Sequence, residues 1–475
     1  MIHSDSRQIR PGDTFVAVRG AAQDGARFIP QAIAAGAVKI VSENPRAADC
    51  PASVAWEQVA DSREAAALLA CRQETKPSHE LGVFAVTGTN GKTTIANLVR
   101  RLLSAGGVPC GLLSTIENDT YPLSMDPAWH TAEPAKNTTA GPFELQRSFR
   151  AMLVHGCHAC AMEVSSHALD QKRVFGTHFA CTIFTNLTQD HLDYHGTMEA
   201  YFAAKAKLFL EYDTQACVVN GDDPYGRRLL EAIRRRGESR VLSYGFSDGC
   251  DLRIADLRFS ADGMRFTLVH PEGRSEIVSR LFGRHNALNL AAALAASSFC
   301  APMETLVAAT ERLRPVRGRL DPVRVPGSPA AFFVDYAHTP DALENVLRTL
   351  RELTPGRLFV VFGAGGDRDR TKRPLMGRAC AALADRLIVT SDNPRSEDPA
   401  AIIGDILGGI GDARDRTQVE PDRREALRLA VREANREGDV VLVAGKGHED
   451  YQIFADRTIH FDDREELVSA GYALS

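Results

Sequence analysis

The chain is 475 residues long, with 44% hydrophobic and 25% charged residues, which places it among globular proteins of about three domains and excludes the disordered and fibrous classes. Its net charge of −5 argues against a dedicated nucleic-acid binder while leaving room for local basic pockets. No apolar run approaches the ~18 residues of a membrane span, and the opening MIHSDSRQIR has no apolar signal core, so a cytoplasmic location without a membrane span is expected.

Residues 1–78 mix short apolar runs (TFVAV, KIVSEN, ASVAW) with alanine-rich helical stretches (IPQAIAAGA, SREAAALLACR). This predicts a small α/β unit, and Lys76-Pro77-Ser78 reads as a linker. An apolar run from Leu81 to Val86 then ends in a glycine turn, followed by Lys92, Thr93 and Thr94 and by a helix-compatible IANLVRRLLSAG. Strand, glycine turn, Lys-Thr and helix together describe a phosphate cradle. Backbone N–H groups and the helix N-terminus hold the phosphates, the lysine neutralises them, and a hydroxyl reaches Mg²⁺. Val86 stands where the common motif has its outermost glycine, which points to a specialised nucleotide-binding family rather than a general ATPase or GTPase.

Residues 79–313 alternate strands and helices. The candidate strands GVFAVTG, CHACAMEV, FACTIFTN and ACVVNG each end in a polar turn, which predicts a parallel sheet with ligands at the carboxyl ends of its strands. Residues 250–280 alternate with a different period and suggest an antiparallel insert or edge. The stretch RPVRGRLD marks a second boundary. Residues 314–475 then supply AFFVDYAH, RLFVVFGAGG, DRLIVTSDNP and DVVLVAGKGH, a second, Rossmann-like doubly wound unit. The ten cysteines lack the spacing of a disulfide framework. Cys157-His158-Ala159-Cys160 could be half of a zinc site, but it has no second CxxC or His-x₃-His partner, and two buried small side chains are the better reading.

Four further clusters carry chemistry. Glu163 ends an apolar strand; beside a phosphate cradle it suits Mg²⁺, and alone it could equally be an acid facing water. Asp190, His191, Asp193 and His195 crowd one strand-end segment, where His191 could ligate a second metal ion or sit near phosphate. Tyr201–Phe209, with Lys205 and Lys207, reads by itself as an amphipathic helix with solvent-facing lysines. In the last third, the turns at Asp335–Asp341, Gly363–Arg370, Asp392–Arg395 and Gly445–Glu449 offer guanidinium forks for carboxylates and acids for ammonium groups, a mixed set suited to a zwitterion such as an amino acid.

In this order the motifs GTNGKTT (88–94), EVSSH (163–167), NLTQDHLDYHG (186–196), RHNALN (284–289), Gly318-Arg319, DYAHTPD (335–341) and GKGHE (445–449) resemble the Mur ligase family of peptidoglycan synthesis over nearly the whole chain. The stretches Asp5-Ser6-Arg7, Asn137-Thr138-Thr139 and DNPR at 392–395 resemble the branch that adds the third residue to UDP-N-acetylmuramoyl-L-Ala-D-Glu, in its meso-diaminopimelate form. The resemblance implies a monomer with a uridine-binding domain (1–78), a central P-loop ATPase domain (79–313) and a C-terminal amino-acid-binding domain (314–475). It implies ATP as co-substrate, with an acyl phosphate formed on the D-Glu side chain and attacked by the diaminopimelate amine. By the same resemblance, ATP binds at Gly88, Thr89, Asn90, Gly91, Lys92, Thr93, Thr94, Asn289, Arg319 and Asp335. The catalytic set is Lys92, Glu163, His191 and Lys205, with Thr93, Glu163, His191 and Lys205 holding Mg²⁺. Lys205 is carbamylated, which reverses its reading as a solvent-facing lysine. Asn137, Thr138, Thr139, Ser165, Gln171 and Arg173 take the UDP-muramoyl-dipeptide, with Ser4, Ser6, Ala21, Ala22 and Gln23 toward its uridine end. Arg368, Asp392, Asn393, Pro394, Arg395, Gly445 and Glu449 form the diaminopimelate pocket, the two arginines for carboxylates and Glu449 for an ammonium group.

Some positions depart from the family pattern. Relatives usually carry a further segment ahead of Asp5-Ser6-Arg7, Ala364 replaces a common cysteine, His285 a common phenylalanine, and Ala21-Ala22 a more polar pair. Two other functions remain to be weighed. The same fold could serve another acceptor, such as lysine or a folate-polyglutamate chain, which the DNPR and Asn137–Thr139 stretches oppose. A nucleotide switch would need a base-reading Asn-Lys-x-Asp, and it would leave the C-terminal pocket without a use.

Overall fold

A computed structural model describes residues 1–20, 23–124, 133–135, 137–260 and 263–473. Four short parallel strands, Ile2–His3, Thr14–Val16, Lys39–Ser42 and Ala55–Gln58, lie side by side in chain order. The helix Ser62–Gln73 starts on Asp61, whose carboxylate accepts the Arg63 and Glu64 amides and so satisfies donors that no helical carbonyl can reach. Its Ala66 and Ala70 pack with Val16 and Val41 against Phe143 of the following unit. Lys76-Pro77-Ser78 is not a free linker: Pro77 and Ser78 are buried, and the Ser78 hydroxyl accepts the His178 amide at 3.1 Å.

The central sheet has eleven strands among the described residues. Seven run parallel, in the spatial order Cys110–Leu113, Ala159–Glu163, Gly82–Thr87, Cys181–Phe184, Ala216–Asn220, Arg240–Gly245 and Leu252–Ser260. Antiparallel strands Gly263–His270 and Gly273–Ser279 extend one edge, where the altered alternation at 250–280 falls. Glu117–Asp119 and Glu133–Pro134 extend the other. The strands are apolar on both sides because helices cover both faces. Phe84 and Val86 face the helix Lys92–Ala105 together with the alanine-rich Arg284–Ser297; Val83 and Ala85 face Leu145, Phe149 and Leu208. Cys157 and Cys160 are buried in this second layer.

The third sheet has the order Asp321–Val323, Ala331–Asp335, Val440–Ala444, Leu358–Phe362, Arg386–Val389 and Thr417–Val419, antiparallel only at the first pair. Val440–Ala444 lies between strands far from it in sequence, so the turn after it meets the turn after Ala331–Asp335. No helix among the described residues is long and apolar enough to cross a membrane.

The buried pair Arg423–Asp463 ties this sheet to its covering helices. Arg423 Nε and Nη2 donate to the two Asp463 oxygens at 2.7 and 2.8 Å, and its guanidinium also reaches the Ser391 and Ala444 carbonyls. Asp463→Ala therefore leaves a buried guanidinium unpaired, and a stability loss of ~3–5 kcal/mol is expected. Calorimetry checks this as a lowered melting transition; an unchanged melting profile would count against the pair as a tie.

Candidate active site

The strand order places Gly82–Thr87 between Ala159–Glu163 and Cys181–Phe184, with Val86 opposite Glu163 and Thr87 opposite Phe184. The loop after it is therefore flanked by Glu163 on one side and by Thr185 and Asn186 on the other. The Thr185 hydroxyl donates to the Asn90 carbonyl at 2.6 Å, and the Asn90 amide donates to Asn186 Oδ1 at 2.9 Å. Packing this close requires glycine: a Cβ on Gly88 would lie 1.8 Å from Thr185 Oγ1, and one on Gly91, at φ +87°, 2.5 Å from Asn289 Oδ1. The helix Lys92–Ala105 starts behind Gly91 without a side-chain cap, so its first N–H groups point at the loop's concave side. Lys92 Nζ closes the loop by donating to the Gly88 and Thr89 carbonyls at 3.0 and 2.8 Å. Burial, with Arg319 beside it, lowers its ammonium below the usual range against the pull of Glu163 and Asp190; an incoming phosphate would relieve that cost.

Glu163 is 1% exposed. Its Oε1 accepts the Thr115 amide at 2.7 Å and its Oε2 the Thr115 hydroxyl at 3.1 Å. Thr115 follows a neighbouring strand and was not singled out in the sequence; its only signal was a hydroxyl at a strand end. His191 sits at φ +54° ahead of the short helix Leu192–His195. Burial, then nearby Lys92, His167 and Lys205, keeps its ring below the ordinary histidine range although Asp190 opposes this. Lys205 is not solvent-facing: it is 1% exposed, donates to the Gly88 carbonyl at 2.8 Å and lies 4.6 Å from the Tyr201 ring centroid. Burial and then Lys92 push its ammonium well below the usual lysine value.

Thr93, Glu163 and His191 line one cleft of about 250 Å³ with residues 89–94, Asn289, Arg319 and Asp335. Among the described residues no three His, Cys, Asp or Glu side chains converge as a ready metal cage. The donors available, a hydroxyl, a buried carboxylate and an imidazole, suit a hard cation that takes its remaining ligands from substrate phosphate, as Mg²⁺ does.

The C-terminal unit forms the other wall. Arg319 Nη2 donates to Thr93 Oγ1 at 3.1 Å, and its guanidinium stacks 4.5 Å above Tyr336. Tyr336 in turn lies 5.2 Å from the His448 ring. Asp335 is buried, which raises its carboxyl above the usual range; its oxygens accept the Leu320 and Ala337 amides at 2.6 and 2.7 Å. Asn289 Nδ2 donates to Asn286 Oδ1 at 3.0 Å. Asn90 Nδ2 donates to Asp341 Oδ2 at 2.8 Å, and Lys372, which carried no signal in the sequence, lies 3.9 Å from Asp190.

The amino-acid candidates meet at the carboxyl edge of the third sheet, the edge on which Asp335 also lies. Asn393 Nδ2 donates to Glu449 Oε2 at 2.8 Å, and Arg395, at φ +52°, donates to the Gly366 carbonyl at 2.9 Å. Pro394 is buried, and Arg368 is exposed, bonded to the Asp367 carbonyl. The Asp392 carboxylate fills the space a side chain on Gly445 would need, 2.3 Å from a Cβ there.

The remaining candidates fall into two groups. Beside Glu163, the Thr139 hydroxyl donates to the Glu163 carbonyl and accepts the Ser165 amide, both at 3.0 Å. Arg173 Nη1 bonds the Thr139 carbonyl, and its Nη2 bonds Gln171 Oε1 at 2.7 Å. The Thr138 and Thr115 hydroxyls lie 3.2 Å apart, within hydrogen-bond distance, and Asn137 is exposed. Ser4, Ser6 and Gln23 belong instead to the N-terminal unit; Ser6 is buried and donates to Gln31 at 3.0 Å, while Ser4 and Gln23 are exposed. Ala21 and Ala22 lie outside the described residues.

Three family models match in chain order: Mur ligase family, catalytic domain (residues 1–75), Mur ligase middle domain (86–297) and Mur ligase, glutamate ligase domain (318–447). The UDP-N-acetylmuramoyl-L-alanyl-D-glutamate–2,6-diaminopimelate ligase of Gloeobacter violaceus is 46% identical over 472 residues, covering 99% of this chain and 93% of the relative. The protein of the same name from Geobacillus kaustophilus is 42% identical over 473 residues, covering 98% and 93%. A solved structure of a ligase of that name aligns with a TM-score of 0.68 at 35% identity, over 99% of this chain and 94% of that one. The MurF ligase of Thermotoga maritima in complex with ADP aligns with a TM-score of 0.62 at 19% identity, over 100% and 96%, a likeness of fold.

Gly91→Ala forces a side chain into a left-handed loop position against Asn289. The strain is about 1–3 kcal/mol, or ~5–150-fold in nucleotide affinity, with the fold retained. Titration with a nucleotide triphosphate measures it; unchanged affinity would remove the loop from the phosphate site.

Proposed function

The chain belongs to the Mur ligase family, and we propose that it is the ATP-dependent ligase that joins meso-diaminopimelate to the D-Glu side-chain carboxylate of UDP-N-acetylmuramoyl-L-Ala-D-Glu. This is a step of peptidoglycan precursor synthesis. The observation that carries this reading is that the phosphate loop and the mixed-charge pocket around Asn393 and Glu449 share one wall, through Thr93, Arg319, Tyr336 and His448. A phosphorylated carboxylate at the first and an amine bound at the second are brought together.

The carboxylate attacks the γ-phosphorus of ATP and ADP leaves, giving an acyl phosphate. The diaminopimelate amine attacks its carbonyl carbon, loses a proton and expels phosphate. Lys92, the loop amides and Arg319 neutralise charge on the transferring phosphoryl group, where fixed donors act without reorganisation. Asn289 and Asp335 are assigned to adenine and ribose. Asn137, Thr138, Thr139, Ser165, Gln171 and Arg173 orient the dipeptide beside Glu163, and the N-terminal Ser4, Ser6 and Gln23 reach the uridine end. Arg395 and Arg368 take the acceptor's carboxylates, while Glu449 and Asp392 take an ammonium group.

Thr93, Glu163, His191 and a carbamylated Lys205 would hold Mg²⁺, which supplies charge neutralisation at the phosphates when bound. The burial that pushes the Lys205 ammonium well below the usual lysine value favours its free amine, a nucleophile toward carbon dioxide, and the carbamate formed with loss of a proton offers an oxygen donor where the amine offers none.

ATP-dependent phosphate release in the presence of the UDP-muramoyl-dipeptide is expected with meso-diaminopimelate and not with L-lysine at equal concentration; preference for lysine would refute the acceptor assignment. Lys205→Ala is expected to lose most ligation and to recover in part with added short-chain carboxylic acids. Full activity in the unsupplemented variant would remove the carbamate.

A further inference from the structure

Lys446 has no part in the assignments above, yet it is 0% exposed beside Asn393 and Glu449 of the proposed amino-acid pocket. Its Nζ donates to Asn393 Oδ1 at 3.2 Å and lies 3.7 Å from Glu449 Oε2 and 5.6 Å from the Tyr451 ring centroid. Asn393 Oδ1 also accepts the Ile453 amide at 3.0 Å, while its Nδ2 turns to Glu449 at 2.8 Å. The ammonium and the Ile453 amide together fix which end of the Asn393 amide faces Glu449. Asp392, whose carboxylate lies against Gly445, is the other acid whose charge acts on Glu449. Arg423 behind them is already matched by Asp463, and Arg395 lies at the mouth, bonded to Gly366. The other ionisable groups facing Glu449 are the Tyr451 and Tyr336 phenols.

We propose that Lys446 is a positioning residue for the acceptor amino acid: a dry, fixed counter-charge that leaves the Asp392–Glu449 wall one net negative charge, matched to one ammonium group. This rests on the reading of that pocket as the acceptor site. Burial and then Asp392 raise the Glu449 carboxyl above its usual range, and Lys446 opposes them. Two acids left in a dry wall without Lys446 cannot both stay ionised. Glu449 takes up a proton and the ammonium site loses its charge.

Full-length Lys446→Met keeps the length of the stem and removes the charge. Initial rates are measured with meso-diaminopimelate and ATP varied in turn, from about pH 6 to about pH 9. The expected result is a KM for diaminopimelate raised toward about tenfold at the acid end of that range, with the KM for ATP unchanged. The defect shrinks as pH rises, because Glu449 ionises again, and the midpoint of the profile moves up by about one pH unit, equivalent to that tenfold change. Lys446→Met/Asp392→Asn restores one net negative charge and is expected to return the midpoint toward the wild-type position. It also serves if the single variant folds poorly, which ATP binding reports. A pH-independent defect, an equal rise in both KM values, or a midpoint that the second substitution leaves displaced would overturn the proposal. A wild-type enzyme without diaminopimelate-dependent phosphate release would overturn the functional reading, and this inference with it.

Discussion

The strand Gly82–Thr87 is hydrogen-bonded along both edges and covered on both faces, so whatever it carries can meet a solute only at its carboxyl end. That constraint organises the molecule. The flanking strands run parallel to it and end at the same level, which delivers Glu163, Thr185 and Asn186 to the loop from two sides. Both helices on one face are rich in small or aliphatic residues. The Ala-rich Arg284–Ser297 can therefore approach closely enough for Asn289 to touch the loop at Gly91.

The cleft is a problem in charge disposal before any substrate enters. Lys92, Lys205, Arg319 and Lys372 approach it from three different helices and a loop, against Glu163 and Asp190. Most of the cations are held by backbone carbonyls, by hydroxyls or by aromatic faces rather than by acids. Desolvated ammonium groups without a full complement of carboxylates are poised for phosphate, since an anion of matching charge recovers the cost of their burial. Around Asn393 and Glu449, on the same edge of the third sheet, the balance is reversed: the acids Asp392 and Glu449 outnumber the buried Lys446 ammonium, and the site is disposed toward a cation.

The family motifs were legible because each is a short run at a strand end, and in a parallel sheet strand ends are where function collects. The strands themselves were legible from apolar runs broken by glycine. Less so were the antiparallel additions at sheet edges, such as Glu117–Asp119 and Asp321–Val323, which are too short to show a period. The helix carrying Lys205 misled the residue-level reading. Its polar face is covered by the phosphate loop, and hydrophobic periodicity records that a side is polar without recording what lies against it. Thr115 and Lys372 were missed because a lone hydroxyl or lysine has no signature, and Lys446, although inside the GKGHE motif, received no role because its burial beside Asn393 and Glu449 is a tertiary fact.

By itself the sequence determined the local chemistry: where glycine permits a tight loop, which runs make buried strands, and the order of motifs that marks the family. Tertiary structure alone decided which distant residues share a space. Thr93 meets Arg319, Asn90 meets Asp341, and Asn393 is shared by Lys446 and Glu449. The reason is the crossover order of the two parallel sheets. Strand pairing across long sequence separations is fixed by packing helices on both faces, and no window of sequence contains the partners.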